Sequence, residues 1–299
     1  MTVYSVVVGN NADLISHIAP LYIPEGSVVA DVTWGKGAFW SKTDTSSIIL
    51  HGSDIASHIG GHDGIIQADF RKLPYKDHVY DVVVLDPPYI HNPGKHVTDK
   101  RYNNLETTKG MYHRDIRALY SEGMAEAVRI LKPGGHLLVK GKDEVESGRQ
   151  CWSHAELRED AEAMGLYARD FFILVPQART SMNRWSTQKH ARKVHSFLWV
   201  FDTPKPKTPV PQTSEDAVRL LESLFDAYEI SWPQIRQEVG GVAESTMWDW
   251  RKKGREIPVK RRVAFAYLAD RLRSGSLSVP RRSRRTLAAK PRVSKRTAP

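Results

Sequence analysis

Apolar positions in the first two thirds of the chain follow two alternating rhythms. Short, nearly unbroken apolar runs at 27–32, 47–51, 64–67, 80–85, 136–140, 171–175 and 195–201 have the length and composition of buried strands. Between them the period lengthens. Ile116, Leu119, Tyr120, Met124, Ala127, Val128 and Leu131 recur at helical spacing across 115–131, and Lys132-Pro133-Gly134-Gly135 stops that helix and turns the chain. A second helix is predicted over 153–164. Strands alternating with helices predict a mostly parallel, doubly wound sheet that binds ligands at the carboxyl ends of its strands.

The rhythm changes after residue 202. Thr203 to Gln212 reads TPKPKTPVPQ, and prolines at this density block helix and sheet alike, so 203–213 is predicted to be an extended linker. Helices are predicted at 214–228, 232–239, 245–253 and 259–273, within a small all-α domain spanning 214–275. Ser231-Trp232-Pro233 supplies an N-cap and a first-turn proline, and Val239-Gly240-Gly241-Val242 a tight turn. Helix, glycine turn and short basic helix make a helix-turn-helix pattern, whose second helix would enter a major groove. Residues 276–299 are expected to be a disordered basic tail; 280–299 hold eight basic residues and no acidic one.

Charge sharpens this division. The chain of 299 residues carries +10 in all. Residues 1–203 hold 23 basic and 24 acidic side chains (−1), and 204–299 hold 21 and 10 (+11). A neutral body with a basic appendage points to a catalytic domain beside a polyanion-binding one. No apolar run is long enough for a membrane span, and no basic segment precedes the first apolar stretch as in a signal peptide. The single cysteine, Cys151, rules out an internal disulfide and a Cys-rich zinc site; no metal is expected, and a cytoplasmic location is the default.

Candidate chemistry clusters where strands end. Asp31-Val32-Thr33-Trp34-Gly35-Lys36-Gly37 follows the first long strand, and its glycines would let backbone approach a ligand closely. Asp54 ends the next strand and Asp69, before Phe70, follows the third, so three acids converge on one sheet edge. Asp86-Pro87-Pro88-Tyr89 follows the buried strand 80–85. Two prolines stiffen the turn and remove two N–H donors, leaving carbonyl acceptors beside an acceptor carboxylate. An aryl amine presents two donors. A carboxylate and a proline carbonyl could hold both, turning the nitrogen lone pair toward an electrophile, while Tyr89 offers a flipped-out base a face to stack on.

These residues resemble the amino-methyltransferases that use S-adenosylmethionine to make N6-methyladenine or N4-methylcytosine in DNA, over roughly residues 25–202. The resemblance implies a Rossmann-like α/β class I methyltransferase fold with a mixed seven-stranded sheet whose reversed strand, at the edge, is 195–201. It implies that Asp31, Thr33, Gly35 and Gly37 surround the methionine part of the cofactor. Asp54 would take its ribose hydroxyls, Asp69 and Phe70 its adenine, and Asp86, Pro87, Pro88 and Tyr89 the target base. Thr33-Trp34 stands where the family often has an aromatic or Pro-Cys pair. Asp rather than Ser at position 86 leans toward adenine over cytosine N4. An RNA base is an alternative target, since RNA and protein enzymes of the same fold use similar loops, and a DNA-binding regulator with an inactive methylase fold is a further one.

Two polar stretches follow in the chain. Lys95, Lys100, Arg101 and Arg114 lie in one, directly after this loop, Arg184 and Lys189 in the other, before the last strand, and with Arg251 and Lys252 of the short basic helix they are the expected contacts to double-stranded DNA. Homodimerisation is allowed for.

Overall fold

The computed structural model describes residues 2–56, 64–89, 112–177, 189–239 and 241–282, which fall into two compact units divided between Pro204 and Lys205.

The first unit is built on one eight-stranded sheet. In chain order its strands are β1 (Val6–Val8), β2 (Val28–Asp31), β3 (Ile49–Asp54), β4 (Ile66–Gln67), β5 (Tyr80–Leu85), β6 (Leu131–Gly141), β9 (Tyr167–Val175) and β10 (Ser196–Asp202); a separate hairpin pairs β7 (Glu144–Glu146) with β8 (Arg149–Cys151). In space the order is β1-β9-β10-β6-β5-β2-β3-β4. Strands β2 to β6 run parallel, and β10 is antiparallel to both of its neighbours. The arrangement is α/β and Rossmann-like, with two corrections to the expectation. The sheet has eight strands rather than seven, because β1 adds beside β9. The reversed strand is interior, between β6 and β9, rather than at the edge.

Successive residues of each central strand face opposite cores. Val83, Leu85, Leu137, Val139 and Phe197 pack with helices α2 (His113–Ile130) and α3 (Ser153–Ala163). Val82, Val84, Leu138, Leu198 and Val200 pack with helix α1 (Asn11–Tyr22) and the 3₁₀ turn Ala38–Trp40. Burial on both faces explains why these strands read as unbroken apolar runs rather than alternating ones. Helix α1 is held at its start by a capping box of Asn10 and Asp13.

The second unit has its own core. Leu221 and Leu224 of α4 (Ser214–Ala227), Ile235 of α5 (Trp232–Glu238), Met247 and Trp250 of α6 (Glu244–Lys253) and Phe265, Leu268 and Leu272 of α7 (Val259–Ser274) share it. Residues 239–243 join α5 to α6. Two boundaries move. Thr203 is bonded to Gly135 and to the Lys132 carbonyl of the first unit, whereas Lys207 and Thr208 donate to Asp270, so 203–213 is not a free linker. The second unit also runs past residue 276. Arg281 bridges to Tyr228 and Glu229 N–H reaches the Pro280 carbonyl, so 276–282 do not belong to the expected tail, and 283–299 lie outside the described residues. Among the described residues, no helix is long and apolar enough to cross a membrane.

Candidate active site

The carboxyl ends of β2, β3, β5 and β6 bring the predicted chemistry together. The register explains how. Asp31 pairs with Val84, two residues before Asp86, and Leu85 pairs with Val139, so Lys140 ends level with Asp86.

The glycine turn is fastened from both sides. Asp31 is buried at 2% exposure; it accepts from Thr33 N–H (3.1 Å) and from Trp40 Nε1–H (2.8 Å). Burial outweighs these bonds, and the Asp86 and Asp54 carboxylates add to it, so its carboxyl is pushed up to about 7. Thr33 Oγ1 accepts the Asp86 N–H at 2.8 Å, which ties the turn to the Asp-Pro-Pro-Tyr loop. Asp54 accepts from Gly35 N–H (2.7 Å) and Ala56 N–H (2.9 Å), and Trp34 N–H donates to the Ser53 carbonyl. Gly35 and Gly37 both have positive φ, at 55° and 65°. The Trp34 ring lies across Gly37 and Gly52; a Cβ at Gly52 would come within 2.6 Å of it. Beyond Gly35 the direction a Cβ would take is open, with only a backbone oxygen at 4.0 Å.

Asp69 and Phe70 are differently occupied. Asp69 is clasped by the Arg71 guanidinium, at 2.6 Å in its shortest contact, which holds its carboxyl below the ordinary range. The Phe70 ring is buried in the core against Gly123 of α2.

Asp86 lies deep. One of its oxygens, Oδ1, is buried with no hydrogen-bond partner, and Lys140 Nζ stands 3.6 Å from it. Burial pushes the Asp86 carboxyl up and Lys140 opposes that. Lys140 is only 2% exposed, and its ammonium sits 5.0 Å over the Tyr89 ring. Tyr120 O–H donates to the Lys140 carbonyl at 2.7 Å. Neither Lys140 nor Tyr120 was singled out from the sequence, yet a lysine ending a predicted buried strand is a legible signal, because a strand end in such a sheet faces the ligand edge.

Beside Tyr89 lies a small cavity lined by His113, Arg117, Tyr120, Lys142, Ser153 and Glu156 among others. Its wall contains an ion cluster. His113 bonds Glu144 through Nδ1 (2.8 Å) and Glu156 through Nε2 (2.6 Å). The two carboxylates, Glu144 foremost, raise its imidazole to about 9 despite burial. The sign gives a prediction. A raised folded-state value stabilises fully below the unfolded imidazole's 6.5 and the gain is lost as pH rises through about 9. The melting temperature of wild type should therefore exceed that of His113→Gln by a constant margin below pH 6.5 and by a shrinking one toward pH 9. A margin independent of pH across that window would show that the imidazolium does not link α2 to the carboxylates.

The expected DNA contacts divide. Lys95, Lys100, Arg101 and Arg184 lie outside the described residues. Arg114 is exposed, with its guanidinium 4.9 Å from the centre of the Tyr112 ring, and Lys189 and Lys252 are exposed. Arg251 is engaged within its own unit, stacked 3.7 Å from the Trp232 ring centre with Glu222 beyond. The exposed side of α6 instead presents Trp248, 50% exposed, together with Lys252.

No protein-family model matches the chain, and no curated protein matches it. Solved structures match at low similarity. A SAM-dependent methyltransferase from Methanosarcina mazei shares 15% identity at a TM-score of 0.40, over 63% of this chain and 97% of that one. A SAM dependent methyltransferase from Aquifex aeolicus shares 13% at 0.38, over 62% and 86%. The [4+2]-cyclase SpnF shares 16% at 0.43, over 65% and 82%. The strand order defines the class, a Rossmann-like α/β protein with a separate helical unit. Its chemistry is read from its own residues.

Proposed function

We propose that the chain is an S-adenosylmethionine-dependent DNA methyltransferase acting on the exocyclic amine of a flipped-out base, adenine N6 ahead of cytosine N4. The observation that carries this is Asp86 Oδ1, a buried acceptor with no hydrogen-bond partner at the end of β5, between the glycine turn and two prolines. A buried acceptor left without a donor costs free energy unless a ligand supplies one. An aryl amine does so, and the Pro87 carbonyl is an acceptor of the kind its second hydrogen needs.

The residues present fit the cofactor. The open face of Gly35 admits close approach. Asp54 spends one backbone bond on each oxygen, and each carboxylate oxygen keeps a further lone pair for a ribose hydroxyl. Asp31 also has one bond on each oxygen, but it is buried where Asp54 is half-buried, so it supports the turn rather than the ligand. Held by these residues, S-adenosylmethionine would supply an electrophilic methyl group with a thioether as leaving group.

The protein's part is to bind and orient. Asp86 accepts one amine hydrogen and draws the nitrogen lone pair out of ring conjugation, so that it can form the new N–C bond. Tyr89 holds the ring plane, and the proton shed by the amine passes through the Asp86 oxygens to water. Asp at position 86 favours adenine, and the +11 charge of residues 204–299 favours DNA as the partner.

Mass spectrometry of nucleosides from DNA incubated with protein and S-adenosylmethionine tests this; N6-methyldeoxyadenosine is expected. N4-methyldeoxycytidine would move the target. No product, with no cofactor binding by calorimetry, would sink the reading and leave a DNA-binding regulator. A narrower test concerns the ribose contact. Asp54→Ala should weaken S-adenosylmethionine binding by about tenfold to a hundredfold, the worth of a charged hydrogen bond. An unchanged dissociation constant would show that Asp54 only fastens the Gly35 turn.

A further inference from the structure

Lys140 has no part in the chemistry described so far, yet its place is unfavourable for a cation. It is nearly fully buried, on a strand whose neighbours Leu138 and Val139 belong to the two cores. Leaving water costs an ammonium several kcal/mol unless a charge compensates. Its compensation is Asp86 at 3.6 Å, with the face of Tyr89 at 5.0 Å. At 3.6 Å from Oδ1 the ammonium acts chiefly by coulombic attraction, at the outer edge of hydrogen-bond distance, so Oδ1 keeps lone pairs while feeling the charge. An aspartate asked to accept an amine hydrogen needs this arrangement. It must stay an anion in a buried site, and the group that keeps it so must not occupy the accepting oxygen.

We infer that Lys140 is a positioning residue, holding Asp86 in its ionised, accepting form and squaring the Tyr89 ring to the same point. The inference rests on the function proposed above. The other groups facing the pair do not substitute for it. Asp31 from β2 faces Asp86 and repels it, with Asp54 behind Asp31; Tyr120 from α2 contributes a phenol that burial keeps protonated. Lys142 lies two residues on and is itself driven toward neutrality by burial and by Lys140, and Glu144 faces Tyr120. Lys140 is therefore the cation within direct reach of Asp86 among the described residues. Its loss leaves burial unopposed.

The test reads ionisation and activity separately. In protein labelled with ¹³C at aspartate carboxyls, the Asp86 titration should move up by about 1–3 pH units in Lys140→Met, the shift that one nearby opposite charge produces. Lys140→Arg should move it far less. The acid limb of kcat/KM for methyl transfer should follow. Below that limb Lys140→Met should lose up to about tenfold for each unit of the shift, and it should recover as pH rises past the limb, whereas a packing defect would lower the rate at every pH. If Lys140→Met does not fold, the wild type carries the test, because the Lys140 Nζ resonance should shift as Asp86 titrates. An Asp86 titration unmoved by Lys140→Met, or a Lys140 resonance blind to it, overturns the inference. Wild-type protein that transfers no methyl group overturns the proposed function instead, while the carboxyl titration still decides the role of Lys140.

Discussion

Replacing Asp86 with alanine should lower the rate of methyl transfer by about 100-fold or more, the usual consequence of removing one preorganised polar group from a reacting centre. The reason is positional. Among the described residues Asp86 Oδ1 is a carboxylate oxygen at this sheet edge buried without a hydrogen-bond partner, whereas each Asp31 and Asp54 oxygen already accepts one bond, from Thr33 and Trp40 and from Gly35 and Ala56. S-adenosylmethionine affinity should change little, because Asp86 meets the turn only through its backbone N–H on Thr33, which alanine keeps. The side chain also balances Lys140, and removing one partner of a buried pair leaves the other charge exposed to the full desolvation cost. Asp86→Ala should therefore melt earlier than wild type, and Asp86→Asn, which keeps size and a carbonyl acceptor, should separate the two effects. Turnover measured below each variant's melting range decides the matter. Near-normal kcat in Asp86→Ala would mean that the Asp-Pro-Pro-Tyr loop is a rigid strand cap and nothing more.

The elements legible in the sequence share a physical property, a strong local pattern. The run at 80–85 is buried on both faces and became β5 without a residue's change, and the helix predicted over 153–164 ends one residue earlier, at Ala163. Of the elements that escaped notice, helix α1 has a strong pattern, with Leu14, Ile15 and Ile18 at helical spacing, and the others are weak by the same measure. Strand β1 is three valines with only the middle one buried, a run too short to mark a strand, and the β7–β8 hairpin is mostly polar, with no apolar rhythm. The interior position of β10 is a matter of strand order, which periodicity does not encode.

The site divides in the same way. Asp31, Thr33, Gly35, Asp54 and Asp86 were visible because each follows a strand, and the register of parallel strands gathers strand ends. Thr33 serves differently from the expectation, however, with its hydroxyl spent on the Asp86 backbone. Phe70 turns into the core, where Gly123 leaves room for it. His113, Glu144 and Glu156 meet across separations of 31 and 43 residues, and no spacing rule connects them. Arg251 illustrates the limit of charge counting. Its positive charge is real, but Trp232 and Glu222 hold it, while the neighbouring Trp248 faces outward.

Removing residues 205–299 should leave a folded first unit that still binds S-adenosylmethionine but holds DNA far less tightly, with a shallower dependence on salt. The first half of this expectation rests on packing. The sheet with its two cores lies wholly within Met1–Pro204, and the second unit keeps a core of its own. The second half rests on charge. The part retained carries −1 and the part removed +11, and each phosphate neutralised releases counterions, so that affinity falls with salt in proportion to the number of contacts. A chain that makes about 6–10 such contacts loses roughly 10³–10⁵ in affinity between 50 and 200 mM salt, and the shortened chain should lose only a small part of that. Methyl transfer at low salt should survive at high DNA concentration, because Asp86, Tyr89 and Lys140 all remain. In the full-length protein, Trp248→Ala and Lys252→Ala should reproduce part of the loss from the exposed side of α6, whereas Arg251→Ala should act mainly on stability through Trp232. Equal affinity and equal salt slope in the full-length and shortened chains would overturn the assignment of DNA binding to the second unit, and its surplus charge would then have to answer to a different acidic partner.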